Sequence, residues 1–475
     1  MGELFAKDGM FNAVLLHVND ALWGCFLVAV LVGLGLWFTW RTHFVQFRMF
    51  PEMVRLLGDS AVTKKRGKHI SSFQAFAVSV ATRVGTGNLA GVATAIALGG
   101  PGAIFWMWVI ALLGSSTSFV ESTLAQLFKK PHQDSFIGGP AFYIKKGLGS
   151  RWMAVLFSVV MILTFGLSYN SVQSNTICGA LQNAFGWSPL TVGVILAVVS
   201  LAVVFGGIQR IAKVSSVVVP VMAIGYFILA VVVVVANISL LPQVLRVIIE
   251  NAFGITQFAG GTLGATIMNG VKRGLFSNEA GEGSSPHAAA TAACSHPVKQ
   301  GLIQALGVFT DTLLVCSCTA FIILISGLYT QPQLQGIILT QAALQHEIGS
   351  SGPVFIAVNI TLFAWSSIIG NYYYGEANIR FLSKKRWVLL CFRVLSAGGM
   401  VLFGAMSSLD LVWNLGDFCM GCITIVNLVA LVRLGKYAFA LLDDYRNQKK
   451  KGVKDPVFHA EAMPELKDKL DWWKD

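Results

Sequence analysis

Stretches of about 20 apolar residues recur along this chain from residue 20 to residue 433. Each stretch is long enough to cross the apolar core of a bilayer, about 30 Å thick, as a helix. Only 12% of the 475 residues are charged and 55% are hydrophobic, whereas a soluble domain is usually about 25% charged. The sequence therefore predicts an all-helical protein that crosses a membrane many times.

The apolar pattern predicts eleven spans. They cover approximately residues 20–40, 71–98, 101–128, 151–184, 189–207, 213–237, 243–275, 299–328, 353–382, 386–405 and 410–433. The first is expected to stay in place as a membrane helix, because no cleavage pattern follows it. Residues 41–70 form a basic connector that is either a helix on the membrane surface or a solvated loop.

The formal charge of +12 indicates orientation once its distribution is considered. Lys and Arg concentrate in alternate loops, including 269–284, and the opposite loops hold only Lys7 and Arg246. Such asymmetry predicts an N-terminus outside and a C-terminus in the cytoplasm. The eight cysteines lie mostly in apolar segments and suggest neither a disulfide framework nor a zinc site.

The span 71–98 is interrupted in its middle by Val84-Gly85-Thr86-Gly87-Asn88. Backbone groups released from helical hydrogen bonding are tolerated at mid-membrane only where they line a cavity or hold a ligand. Amides after Thr86, at Gly87 and Asn88, would face the bilayer centre at the positive end of a half-helix and suit a carboxylate. The alternative is a kinked structural helix.

A second glycine-interrupted span, 243–275, contains Gly260 and Gly261. The ten spans after the first divide into five and five, so two similar halves would have opposite orientations in the membrane, as in an inverted repeat. The expected divisions are 1–70, 71–237, 238–433 and a loose cytoplasmic tail, 434–475. Alternatively, the glycines of these spans only allow the helices to pack closely and do not form a shared site.

Several polar residues are candidates for binding a cation or a zwitterion. Carbonyl oxygens around Ala81 and Val84, with the hydroxyls of Ser366 and Ser367, are ligands of the kind that Na⁺ prefers, although such serines often bond to their own helix. The amides of Gln173 and Asn371 would grip a zwitterion or form interhelical hydrogen bonds.

Charged residues inside predicted spans are costly and therefore point to function or to ion pairs. These charges include Asp311 and Glu376. Arg83 is expected to pair with an acid, as part of a gate or of the structure, or else to face the substrate carboxylate; the candidate gating or pairing acids are Glu121, Glu279 and Asp417. The segment 269–284 is interpreted as an inner gate or as a plain loop. Phosphate-binding and hydrolase motifs are missing from the sequence, so ATP-driven transport has no support.

Four segments resemble the alanine or glycine:cation symporter family. They are GGPGAIFWMWVIALLG at 99–114, FQAFAVSVATRVGTGNLAGVATAIALGG at 73–100, NGVKRGLFSNEAGEGSSPHAAATA at 269–292 and HPVKQG at 296–301. The likeness covers most of residues 20–440. One departure is Glu282-Gly283-Ser284-Ser285-Pro286, where family members more often carry an uncharged residue and an Ala.

This resemblance implies a bacterial leucine transporter-like fold of five plus five helices with one extra N-terminal helix. It implies a carrier, not an enzyme, that imports alanine and/or glycine with Na⁺ and without a cofactor, ATP or nucleic acid. By family likeness Thr86 and Gly87 receive the carboxylate, Gln173 and Asn371 lie in the pocket, Gly260–Gly264 caps it, and Ser366 and Ser367 bind sodium. Transport of glutamine or serine, or coupling to H⁺, remains the alternative; an ion channel and a membrane enzyme are remoter ones.

Overall fold

The computed structural model describes residues 10–62, 70–132, 135–254 and 262–473, and these are almost entirely helical. Eight helices among them are long and apolar enough to cross a membrane: Asn12–Arg41, Ala103–Leu127, Arg151–Phe185, Gly207–Ala236, Pro297–Ser326, Ser351–Leu382, Arg386–Met406 and Leu409–Lys450. Gly87–Gly99 and Pro189–Val204 are shorter apolar helices. The expected helical protein of many membrane crossings is confirmed at this level.

The α-helices have the following bounds: α1 Met10–Ala21, α2 Leu27–Arg41, α3 Val45–Arg48, α4 Phe50–Val62, α5 Ser72–Arg83, α6 Val92–Gly99, α7 Ala103–Leu127, α8 Pro140–Tyr143, α9 Arg151–Met161, α10 Tyr169–Phe185, α11 Pro189–Val204, α12 Gly207–Ala236, α13 Leu241–Ala252, α14 Leu263–Asn278, α15 Ser285–Thr291, α16 Pro297–Val308, α17 Ser317–Ser326, α18 Gly336–Ile348, α19 Ser351–Leu382, α20 Arg386–Val394, α21 Met400–Met406 and α22 Leu409–Lys450. Wider π-helical turns occupy Leu22–Phe26, Gly87–Gly91, Ile144–Leu148, Ile162–Ser168, Phe309–Cys316 and Leu395–Gly399, most of them joining successive helices. Two short strands, β1 Lys130–His132 and β2 Ser135–Ile137, pair antiparallel with Pro131 opposite Phe136.

The first broken helix lies where the sequence predicts it. A capping box between Ser71 and Gln74 starts α5 by satisfying amides that have no partner in the first turn. The helix ends at Arg83, and Val84 leaves helical geometry with φ −79° and ψ 87°. Helical structure resumes in the wide turn Gly87–Gly91 and continues as α6. We call residues 84–86 the first break.

The second broken helix does not match the predicted span 243–275. Helix α13 is a separate amphipathic helix, and α14 starts only after Thr262, whose side chain caps it. A further interruption, which the predicted spans do not include, separates α14 from α15 at residues 279–284, and we call it the second break. Gly260 and Gly261 lie outside the described residues.

Backbone geometry explains why the chain breaks at 279–284. Glu279, Gly281 and Gly283 all have positive φ, at 55°, 98° and 78°. Glycine adopts this region freely, whereas a residue with a Cβ does so at a cost. Side-chain hydrogen bonds described below hold Glu279 in that strained conformation.

Close packing brings the two breaks together at the centre of the molecule. Helix α7 packs against α14, α15 and α16, while α5 packs against α12 and α19. A Cβ on Gly114 of α7 would lie 2.9 Å from the Cβ of Ala280 in the second break. The small residues of α7 therefore allow the second break to approach this helix closely.

The connector and the C-terminal segment pack onto the helical body. Residues 50–62 of the connector form the helix α4. Helix α22 continues to Lys450, well beyond the predicted end at residue 433. The tail that follows is docked rather than loose: Trp473 donates to the carbonyl of Gln126 across 3.1 Å. Burial of apolar tail side chains, among them Leu466 and Leu470, accounts for the docking.

Candidate functional site

The helical segments that flank the first break contact the second break and the end of α14. Thr82, one residue before the end of α5, donates from Oγ1 to Glu279 Oε2 across 3.2 Å. A Cβ on Gly87 would lie 3.0 Å from the Cα of Ser277, the penultimate residue of α14. Glycine at position 87 is therefore what lets α14 end against the first broken helix.

Gln173 of α10 binds the backbone of the first break. Its Oε1 accepts from the amide of Thr86 at 3.0 Å and from Thr86 Oγ1 at 2.7 Å. The same residue lies against Gly85, where a Cβ would come 3.0 Å from Oε1. Thr86 and Gln173, two of the predicted substrate residues, thus meet at the break, and their hydrogen-bonding groups are mutually satisfied in this conformation.

Asn88 is held by groups that sequence analysis did not place in the site. Its Nδ2 donates to Asp311 Oδ1 across 2.6 Å, and its Oδ1 accepts from the amide of Gly85 across 2.8 Å. Asp311 Oδ2 also accepts from Ser277 across 2.8 Å and from Thr312 across 2.7 Å. This buried carboxylate connects the first break, α14 and the turn after α16.

Asn371 of α19 carries an unsatisfied amide. Only 1% of its surface is exposed, and neither Oδ1 nor Nδ2 has a hydrogen-bond partner in the part of the chain that the structure describes. A buried amide without partners is costly, so each such group calls for an explanation. Asn371 offers one donor and one acceptor to a polar ligand.

Three predicted cation ligands come together beside the first break. Ser367 Oγ donates to the carbonyl oxygen of Ala81 across 2.8 Å, and Ser366 Oγ lies 3.4 Å from the same oxygen. Both hydroxyls also bond to Phe363 of their own helix, as serines in membrane helices often do. Val84 is fully buried at the first non-helical residue and donates its amide to the carbonyl of Val80. Hard cations prefer oxygen ligands of these kinds.

Gln173 and Ser367 both lie beside Gly85. A Cβ built on it would overlap Ser367 Oγ and would also press against the Gln173 amide. Both groups therefore pack on the same α-carbon. A ligand held at one of them would be close to a ligand held at the other.

Arg83 is fully buried but has no carboxylate within 4.0 Å among the described residues. It donates to the carbonyl of Gln304 across 2.9 Å and to Ser118 Oγ across 3.0 Å. The expected direct ion pair with an acid is therefore replaced by neutral acceptors. These contacts fix the end of α5 against α7 and α16.

Glu121 of α7 holds the second break by accepting hydrogen bonds at both oxygens. The amides of Gly281 and Gly283 donate to it across 3.3 Å and 3.1 Å. Ser285 and Asn427 donate across 3.3 Å and 3.0 Å. Charge-assisted hydrogen bonds of this kind are roughly twice as strong as neutral ones, so Glu121 stabilises the break.

The two acids of the second break itself differ in their partners. Glu279 Oε2 accepts from Ser284 across 2.6 Å as well as from Thr82. Glu282, the residue that departs from the family pattern, accepts from the Tyr169 hydroxyl across 3.1 Å. Its Oε1 is fully buried and has no partner among the described residues.

Asp417 of α22 forms a buried pair with α14. Arg273 donates to both of its oxygens, at 2.9 Å and 2.6 Å, and Lys272 Nζ lies 3.1 Å from Oδ2. The Arg273 guanidinium lies 4.4 Å from the ring centroid of Trp413. The interpretation of 269–284 as a loop was therefore wrong, because its first ten residues are helical and the charges of Lys272 and Arg273 are compensated within the protein.

Three residues around the site carry a signal in the sequence that does not identify their partners. Ser277 and Arg273 belong to the segment 269–284, and Asp311 is an acid inside an apolar span. Each is a polar residue in a position where burial is costly without a partner. Their partners lie far away along the chain, which is why sequence alone does not pair them.

Comparison with known proteins agrees with this architecture. Residues 8–460 match the model of the sodium:alanine symporter family. The probable sodium/glutamine symporter GlnT of Bacillus subtilis is 53% identical, covering 94% of this chain and 92% of the relative. The amino-acid carrier protein AlsT of Bacillus subtilis is 48% identical over 98% of each chain. The sodium/alanine symporter AgcS of Methanococcus maripaludis is 37% identical over 89% of this chain and 95% of the relative.

A solved structure shows a similar fold at low sequence identity. A manganese transporter of Eremococcus coleocola, crystallised as a mutant, superposes with a TM-score of 0.51 and 14% identity over 85% of each chain. This likeness concerns the fold alone. The family match over nearly the whole chain, together with the long apolar helices around a broken-helix centre, identifies this integral membrane protein as a member of the sodium:alanine symporter family.

Proposed function

We propose that the protein imports alanine and/or glycine together with Na⁺ by alternating access. The observation that carries this proposal is the space beside Gly85, because a Cβ built on this residue would meet both the side-chain amide of Gln173 and the hydroxyl of Ser367. An amino acid and a cation bound at these groups would be near neighbours. Such proximity allows each ligand to favour the binding of the other, which is what coupled transport requires.

The substrate would bind at the first break. Its carboxylate would accept from the amides of Thr86 and Gly87 and be oriented by Asn88, at the positive end of the helical segment that follows. Gln173 would exchange its bond to Thr86 for a bond to the ligand. Asn371 would contribute its unsatisfied amide. Gly260 and Gly261 stay a predicted cap on the other side of the pocket.

Sodium would bind to the carbonyl oxygens of Ala81 and Val84 and to the hydroxyls of Ser366 and Ser367. The serine hydroxyls would turn away from the Ala81 oxygen and present their lone pairs to the ion. Because these ligands come from α5 and α19, the ion would tie the two helices together. Its release would free α5 to move relative to α19, which is the role we propose for it in alternating access.

Residues 279–284 would act as part of a gate. Glu121 and Glu279 would keep the second break folded against α5 and α7, and Arg83 would fix the neighbouring end of α5. The Arg273–Asp417 pair would hold α14 against α22. Opening on one side requires the contacts on that side to separate. We propose that the contacts made by residues 279–284 and the contact between Arg273 and Asp417 separate alternately.

The proposed topology has eleven spans in a leucine transporter-like arrangement. After the N-terminal helix, five spans would follow from residue 71 to residue 237 and five more from 238 to 433, related as an inverted repeat. The two broken helices support it, since each would open one half. The N-terminus would be outside and the C-terminus cytoplasmic, in a bacterial inner membrane.

Glutamine is the second candidate substrate. Asn371 is buried with a free donor and a free acceptor, which is the complement of a carboxamide side chain. The relative named a probable sodium/glutamine symporter is 53% identical to this chain. Serine as substrate and H⁺ as coupling ion are the remaining alternatives.

Uptake into proteoliposomes tests these candidates. Radiolabelled alanine, glycine, glutamine and serine would each be supplied under an imposed Na⁺ gradient, an imposed pH gradient, or none. We expect alanine or glycine to accumulate only with inward Na⁺. Accumulation of glutamine alone would select the second candidate, and equal uptake with and without gradients would refute coupled transport.

A further inference from the structure

A basic pocket lies at the end of α19, far along that helix from the break. Its volume is about 690 Å³. Its basic lining residues are Lys130, Lys145, Lys146, Arg380, Lys384, Lys385 and Arg386, and its one lining carboxylate is Asp471 of the C-terminal tail. We call this the basic pocket. The proposed transport mechanism does not use it.

Most of this positive charge has no protein counterion. Arg380 pairs with Glu376 across 2.6 Å, and Lys146 pairs with Asp471. Among the described residues, the other five basic side chains have no carboxylate within 4.0 Å. Like charges gathered in one concavity repel each other and raise the local positive potential. The pocket is therefore suited to an anion with several acceptor oxygens, such as a phosphate group.

The surface beside the pocket is apolar. Helix α20 begins at Arg386, and Trp387, Leu390 and Val394 lie exposed on one face of it, with Trp387 63% exposed. Helix α9, which follows the loop of Lys145 and Lys146, exposes Trp152 in its first turn at 72%. Tryptophans occupy the headgroup level of bilayers, and exposed aliphatic faces lie against acyl chains.

We infer that the basic pocket binds the phosphate of an anionic phospholipid whose acyl chains lie along the exposed faces of α20 and α9. Two observations favour a lipid over a free phosphate ion. The pocket lies where helices long enough to span the membrane begin and end, which is the level of headgroups. The exposed apolar faces of α20 and α9 begin beside the pocket, so the acyl chains of a lipid bound there could lie along them.

The tail carboxylate of Asp471 shares this pocket with the phosphate. Its partner, Lys146, is the only lining residue paired with the tail in the described part of the chain. Trp472 of the same segment packs against Phe136 with ring centroids 4.7 Å apart, which holds Asp471 in place. Lipid phosphate and Asp471 therefore compete for Lys146.

Native mass spectrometry of the full-length protein with added phosphatidylglycerol tests this inference. The variant carries Lys384→Gln, Lys385→Gln and Arg386→Gln. The matched control carries Lys450→Gln, Lys451→Gln and Lys454→Gln, which remove the same charge from exposed positions away from the pocket. We expect about tenfold weaker phosphatidylglycerol binding in the pocket variant only, and tighter binding in Asp471→Asn.

Two further binding measurements distinguish the phosphate of a lipid from a free phosphate ion. Phosphatidylcholine, which has no net charge, is expected to bind wild type no better than it binds the pocket variant. Inorganic phosphate is expected not to displace phosphatidylglycerol at equal concentration; full displacement would assign the pocket to a free anion and overturn the lipid inference. Equal loss of binding in the pocket and control variants would overturn it as well.

Discussion

Ser367 Oγ lies 2.8 Å from the main-chain oxygen of Ala81, although the two residues are 286 positions apart in the sequence. One belongs to the end of a half-helix and the other to a continuous helix. Their contact joins the first break to α19. It also gives the sodium hypothesis its most direct test.

Ser367→Ala is expected to weaken sodium binding. Losing one ligand costs about 1–1.5 kcal/mol, so the Na⁺ concentration for half-maximal uptake should rise by about fivefold to tenfold. Ser366→Ala should have a smaller effect, since that hydroxyl lies farther from Ala81, at 3.4 Å. Thr361→Val is the control, because its hydroxyl bonds within α19. An unchanged Na⁺ dependence in Ser367→Ala would remove this residue from the ion site.

Gln173→Leu is expected to impair substrate binding. In the empty protein Gln173 bonds to Thr86, and the change removes the amide that would bond to the charged substrate, a hydrogen bond worth about 1.5–3 kcal/mol. We expect the KM for the amino acid to rise by about tenfold or more. Gln182→Leu, at an exposed position of the same helix, is the control. If both variants transported with the same KM, Gln173 would have only a packing role.

Asp417→Asn is expected to destabilise the protein strongly. It leaves the positive charges of Lys272 and Arg273 without their carboxylate, and breaking a buried ion pair costs about 3–5 kcal/mol. Thermal unfolding in detergent, followed by fluorescence, measures the change. Asp443→Asn, at an exposed position, should leave Tm nearly unchanged. Equal Tm values for the two variants would contradict the burial of the pair.

The acids Glu121 and Glu282 are expected to respond differently to the same substitution. Glu121→Gln places an amide NH₂ group against donors that now bind a carboxylate, so Tm should fall by several degrees. Glu282→Gln removes a buried carboxylate that has one unpartnered oxygen, so Tm should stay equal or rise. The two variants serve as each other's control. A larger loss at Glu282 would mean that its unpartnered oxygen has a stabilising partner.

Glu52 makes stability depend on pH. Burial opposes its ionisation, but hydrogen bonds from Arg55, Tyr445 and Lys449 outweigh this effect and lower its pKa from 4.5 to about 2. A lowered pKa adds stability above the unfolded value, and this stability is lost as pH falls from about 4.5 towards 2. Glu52→Gln should therefore lower Tm at neutral pH, with a gap to wild type that narrows on acidification. The exposed tail variant Glu465→Gln should show no such gap.

The first break was predictable because its cause is local. Gly85 and Gly87 interrupt an apolar stretch, and a helix that loses side-chain packing and propensity at that depth breaks there. The sequence also allowed Ala81, Ser366 and Ser367 to be proposed as cation ligands, since few hydroxyls and free carbonyl oxygens occur near the middle of the membrane. The positions of these residues relative to one another were inferred from family resemblance, and the serines do lie against Ala81.

The second break contains Gly281 and Gly283, but glycine content alone does not fix its position. Its position depends on Glu279 adopting positive φ, which is stabilised by Thr82 and Ser284 and thus by contacts made across the molecule. The pairing of Arg273 with Asp417 also depends on a contact made across the molecule. The docking of Trp473 onto Gln126 likewise joins segments that are distant in sequence.

The sequence by itself determined that this is a helical membrane protein with a broken helix at residues 84–86, because apolar length and glycine interruption act within a few turns of the chain. Its motifs also determined the family. Only the tertiary structure decided where the second helix breaks, which charges pair, and how closely Gln173 and Ser367 approach Gly85. Those features depend on hydrogen bonds and packing between residues hundreds of positions apart, and such contacts have no signature in the local pattern.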